Sequence, residues 1–91
     1  MEIINLGKND SNIQINAKID ARQDGKPVVV FLTEDGYYMS SYYVTTMMDF
    51  LGGAEGQDLM LEGSRPDWTA TKQQIRKAIA PAIDLVSVNV E

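Results

Sequence analysis

No histidine and no cysteine occur in this 91-residue chain. Without imidazole there is no side chain able to hold a phosphoryl group as a phosphohistidine. Without thiols there are no disulfides and no thiolate chemistry, which suits a reducing compartment. Positive charge is scarce too. Eight Lys and Arg stand against thirteen Asp and Glu, a formal net charge of −5. That sign argues against nucleic acid, because neutralising phosphates needs clustered cations. Lys72, Arg76 and Lys77 form the only local concentration of basic residues, in the expected last turns of a helix. No apolar run approaches the ~18 residues needed to cross a bilayer. The opening M-E-I-I-N-L has neither a basic n-region nor a long apolar h-region, so a cytoplasmic protein is expected. No glycine-rich phosphate loop with a lysine is present either.

What the chain does have is globular. The hydrophobic fraction of 44% with 23% charged residues predicts one folded domain over residues 1–91 with a single modest core. Glu2–Leu6 reads as a short strand and Gly7–Asn12 as a polar loop. From Ile13 the chain carries two periods at once. Ile13, Ile15, Ala17 and Ile19 alternate with polar residues, as in a half-buried strand. Ile15 with Ile19, and Ala17 with Ala21, also stand at i,i+4 behind Ser11 or Asn12, either of which could cap a helix. Pro27-Val-Val-Val-Phe-Leu-Thr33 is a β-branched strand, Glu34-Asp35-Gly36 a hairpin turn and Tyr37–Ser40 the return strand.

Ser40 or Ser41 is then expected to cap a helix whose stripe is Val44, Met47, Met48 and Leu51, closing at Gly52 in the C′ glycine position. Gln57–Glu62 reads as a further strand. Ser64, Pro66 and Asp67 have the grammar of a helix start. Trp68, Thr71, Ile75, Ala78, Ile79 and Ala82 keep helical period until Pro81 ends or kinks it. The tail Val86–Glu91 alternates like an extra C-terminal strand.

The run Met47–Gly63, with its L-G-x-x-x-G core at Leu51–Gly56, resembles HPr-type phosphocarrier proteins of the bacterial sugar phosphotransferase system. The likeness extends through Val29–Ser40 and loosely into the last helix. It implies an α+β open-faced sandwich: an antiparallel sheet of about four strands with three helices on one face. It makes Ile13–Arg22 the first helix, against the local alternation, so a strand at Ile13–Asp20 would count against the resemblance.

Gln14, within Asp10-Ser11-Asn12-Ile13-Gln14, falls at the family's phosphoacceptor histidine, as in the catabolite-repression HPr paralogue. An amide nitrogen is not nucleophilic as imidazole is. Asn16 and Ala17 replace the arginine and proline that follow that histidine in the family. Val44 replaces the regulatory serine, although Ser40, Ser41, Thr45 and Thr46 lie nearby.

These readings predict a protein without catalytic residues, metal or cofactor. The carboxylates Asp20, Asp24, Glu34, Asp35, Glu55 and Asp58 are expected in solvated turns, and Trp68 in the core. The expected function is an HPr-like regulatory module, monomeric or homodimeric, that binds a protein partner through its first two helices. The candidate surface is Asn12, Gln14, Asn16, Tyr42, Tyr43, Met47 and Met48; neither nucleic acid nor membrane is expected as a partner. The alternative is an unrelated small acidic interaction or inhibitor protein of phage or mobile-element type. The expected core is Ile4, Val29, Phe31, Met47, Leu51, Leu59, Leu61, Ile75 and Ile79.

Overall fold

Val28 to Leu32 are all buried, a continuous apolar run suited to a central strand with a neighbour on each side. In the computed structural model, which describes residues 3–21, 24–53, 58–61 and 68–83, that run is strand β3 (Pro27–Thr33). Its neighbours are β2 (Gln14–Ala21) and β4 (Tyr38–Tyr43), and β1 (Ile4–Lys8) lies beyond β2. The four strands form an antiparallel meander in the order β1-β2-β3-β4. Helix α1 (Val44–Leu51) follows β4 without a break. A separate two-stranded ribbon, β5 (Leu59–Met60) with β6 (Thr69–Ala70), precedes helix α2 (Lys72–Ile79).

The molecule is thus α+β with a four-stranded antiparallel sheet and two α-helices. Ile13–Arg22, expected as a helix, is the correction that matters most. Gln14–Ala21 pairs along its whole length with β3, from Ile15 opposite Thr33 to Ala21 opposite Pro27. The alternation prevailed because every second residue meets a β3 neighbour on the core side: Ala17 lies opposite Phe31 and Ile19 opposite Val29. Ile15 and Ala17 are fully buried. Four strands now precede the first helix, where the resemblance implies a helix at Ile13–Arg22. The expected three-helix cover is reduced to α1 and α2 with a short 3₁₀ turn (Ala80–Ala82) among the described residues.

The core lies between one sheet face and the helices. Leu6, Ile15, Ala17, Val29, Phe31 and Met39 meet Val44 and Met47 of α1, and Ile75, Ala78 and Ile79 of α2. Of the expected core, Val29, Phe31, Met47, Leu61, Ile75 and Ile79 are buried, while Ile4, Leu51 and Leu59 are half-buried against it. Trp68 packs there as well. Val28, Val30 and Leu32 form a second cluster on the opposite face, with Tyr43 packed against them.

Element boundaries moved for local reasons. The Glu34-Asp35-Gly36 turn forms as read, with Gly36 at φ +91°, where an L side chain would be strained. A bulge opposite Phe31 and Leu32 turns both Met39 and Ser40 into the core, and the return strand runs on to Tyr43. Tyr43, not Ser40 or Ser41, is therefore the N-cap of α1, and its side chain makes no capping bond.

Gly52 closes α1 as expected, but with φ −79°, so the left-handed C′ conformation is not used. Helix α2 begins later than expected, behind a capping box in which Thr71 Oγ1 accepts from the Gln74 amide and Gln74 Oε1 accepts from the Thr71 amide. It stops at Ile79, two residues before Pro81, and the chain tightens into the 3₁₀ turn. Within the expected strand at Gln57–Glu62, Leu59–Met60 is a strand that pairs with β6 outside the main sheet, and Gln57 and Glu62 lie outside the described residues. Ser64, Pro66, Asp67 and the tail Val86–Glu91 lie outside the described residues.

Candidate functional site

The seven residues expected to form one partner surface are distributed over two faces and the core. Asn12 lies in the β1–β2 turn at φ +66°, exposed. Gln14 and Asn16 point to the sheet face away from the helices, because Ile15 and Ala17 between them take the core side. Tyr42 turns inward and meets Phe31 edge-on, with ring centroids 6.1 Å apart at 69°. Tyr43 takes the outer face, and its hydroxyl donates to Asp24 Oδ2 at 3.2 Å. Met47 is 1% exposed and belongs to the core, which removes it from any docking surface. Met48 is exposed on α1. No single partner face contains all seven.

Gln14 does not stand at a helix start. It opens β2, where its Nε2 donates to Asn5 Oδ1 at 2.7 Å, Asn16 Oδ1 at 3.0 Å and the Ile15 carbonyl at 3.2 Å. These side chains form an amide cluster that ties β1 to β2. The position therefore lacks the helix N-terminus, with its free amides and positive dipole end, that favours an anion.

A second polar group has a structural task. Asn9, 7% exposed, donates from Nδ2 to the Thr69 carbonyl at 2.9 Å, and its Oδ1 accepts from the Ser11 and Ile13 amides at 3.0 Å. Gln74, equally buried, donates from Nε2 to the Leu6 and Gly7 carbonyls at 3.2 and 3.3 Å. Together they fasten β1 and its turn to β6 and α2. Lys72, buried at the start of α2, sends Nζ to the Gly53 carbonyl at 3.3 Å and lies 5.8 Å from the Phe50 ring centroid.

The expected partner surface leaves out the β3–β4 hairpin tip. Tyr37 and Tyr38 are 72% and 64% exposed, the most open of the large apolar and aromatic side chains described. The tip beneath them is held firmly. Thr33 N–H donates to the Tyr37 carbonyl at 2.8 Å, Gly36 N–H to the Thr33 carbonyl at 2.9 Å, and Tyr37 N–H to Thr33 Oγ1 at 3.0 Å. Tyr38 Oη lies 3.3 Å from Ser41 Oγ. Glu34 and Asp35 are exposed in the same turn. The signal is present in E-D-G-Y-Y, but alternation along a strand turns about half of Tyr37, Tyr38, Tyr42 and Tyr43 inward and does not say which. The strand begins at Tyr38, so Tyr37 belongs to the turn and the alternation starts later.

Other sites offer less. A small polar hollow of about 230 Å³ lies beside Val28, Ser41, Tyr43 and Thr46 near the start of α1. Among the described residues no three Asp or Glu gather as metal ligands, and no helix is long and apolar enough to cross a membrane. In comparisons with known proteins, no family model, no curated protein and no solved structure matches this chain.

Proposed function

We propose that this chain is a non-catalytic protein-binding module of the cytoplasm that presents its β3–β4 hairpin tip to a partner. The observation that carries this reading is the pair Tyr37 and Tyr38, exposed on a turn already held by its own hydrogen bonds. Tyrosine supplies a large contact area with few rotatable bonds, and a pre-formed turn lowers the ordering cost of binding. Glu34 and Asp35, exposed in the same turn, favour a partner surface that is apolar with basic residues at its rim. Within this reading, four strands before the first helix favour a small acidic interaction protein unrelated to the phosphocarriers. An HPr-like regulator would dock through a helix at Ile13–Arg22, and strand β2 occupies Gln14–Ala21 of that stretch.

Affinity capture from the native host, run with the wild type and with Tyr37→Ser/Tyr38→Ser, tests this reading. The wild type should retain a specific protein that the double variant loses, since central aromatic anchors are worth about 2 kcal/mol or more each. Both rings are exposed, so the variant should melt with the wild type. A variant that keeps the partner undiminished sinks the reading.

A further inference from the structure

A groove of about 380 Å³ runs between α1 and the end of α2, walled by Met48, Leu51, Ile79, Ala80 and Ile83, with Arg76 at its edge. Arg76 is exposed, and among the described residues its guanidinium forms no ion pair. Lys77 is exposed next to it, so the groove borders the chain's only local concentration of positive charge. The hairpin tip carries the complementary charge. It exposes two tyrosine rings and, in the preceding turn, the carboxylates of Glu34 and Asp35, and the openness of both rings shows that the tip is not folded against its own groove. We propose that the groove receives the Tyr37–Tyr38 tip of a second copy of this chain, with Arg76 facing Glu34 and Asp35. The inference rests on the reading of the tip as a docking element and names its occupant.

Two tyrosines and one ion-pair cluster cover much less than the ~1,600 Å² of a standard stable interface, so the contact is a transient one. Each copy carries both halves. A reciprocal exchange of tips closes into a two-fold, isologous dimer, whereas a one-way contact is heterologous and continues into a short chain of copies. Net charge of the same sign on both copies opposes approach. At about 150 mM salt the Debye length is ~8 Å, which weakens that long-range repulsion more than a direct ion pair.

Sedimentation velocity on the purified chain tests the proposal, from about 10 μM to about 1 mM, where contacts of this size are populated. The wild-type mass should rise above 10.1 kDa with concentration. Arg76→Glu, Glu34→Lys/Asp35→Lys and Tyr37→Ser/Tyr38→Ser should each weaken association about ten-fold or more, with melting curves recorded alongside. Arg76→Gln serves in place of Arg76→Glu if the reversed charge disturbs α2.

Mixing the Arg76→Glu chain with the Glu34→Lys/Asp35→Lys chain should restore association, because each tip then meets a groove of opposite charge. A wild type that stays monomeric throughout overturns the proposal, and so does association that the groove or tip variants leave unchanged, or a mixture that stays apart. If the wild type is monomeric while the tyrosine variant still loses its cellular partner, only the identity of the occupant has failed. The reading of the tip then stands.

Discussion

Ser40 lies opposite Phe31, 1% exposed, and among the described residues its Oγ has no hydrogen-bond partner. The bulge that carries Met39 inward brings this hydroxyl into the core as well. An unpaired buried hydroxyl costs about 1–3 kcal/mol, more than the contacts of one oxygen atom return. Ser40→Ala should therefore leave stability unchanged or raise it by up to about 1 kcal/mol in urea unfolding. A loss beyond that would mean the hydroxyl has a partner in solution. Gln14 makes the opposite case, a side chain whose bonds define its role. Gln14→His incubated with phosphoenolpyruvate and the first enzyme of the phosphotransferase chain should take up no acid-labile phosphate at an efficient rate. The position opens a strand, and Asn16 cannot supply a guanidinium. Labelling of the variant at a carrier's rate would show that the strand position can do what a helix N-terminus does.

Strand β2 was legible in its alternation and obscured by its i,i+4 coincidences. Eight residues satisfy both templates, and only a neighbour on each side separates them. In solution, the amides of β2 that bond to β3 should exchange slowly, and 13Cα shifts across Gln14–Ala21 should lie on the strand side of random coil. Helical shifts there would revive the displaced reading. Ile15→Ala should cost about 2–4 kcal/mol in chemical unfolding, the range for truncating a fully buried isoleucine.

Helix α2 depends on its capping box more than on its length, since eight residues form a poor helix alone. Gln74→Ala removes one capping bond and the two bonds to β1, and should lower stability by about 1–3 kcal/mol. T-x-x-Q at Thr71–Gln74 is a start signal visible in the sequence, yet the S-R-P-D run before it reads as a start too. The tyrosines were less legible still. Whether a ring faces out depends on the residue at which the strand begins, and a shift of one reverses the assignment.

One core joins sheet and helices, and the main sheet is built from consecutive neighbours. The Cα radius of gyration, 12.6 Å, is close to the ~12 Å expected for a compact chain of this length. Loss of α2 would uncover the core side of β1 and β2, with Leu6, Ile15 and Ala17, so partial unfolding is costly. Calorimetry should show a single transition with calorimetric and van't Hoff enthalpies equal. Its heat-capacity change should be about 1.1–1.4 kcal/mol/K, at ~12–15 cal/mol/K per residue. Two resolved transitions would mean that the helical layer unfolds apart from the sheet.

The central strand, its hairpin turn, the apolar stripe of α1 and the end of α2 before Pro81 follow from residues close together in the chain. A β-branched run, a glycine at positive φ and a proline act within a few positions. The character of Ile13–Arg22 depended on contacts farther along the chain: Ile15, Ala17 and Ile19 were committed to a strand by the β3 residues that face them. The same holds for the candidate surface. Met47 and Met48 are adjacent, yet one is enclosed by the core and the other lines a groove, because α1 packs on the sheet with one particular face. Tyr37 and Tyr38 acquired their exposure only when the bulge at Met39 fixed which residues turn inward.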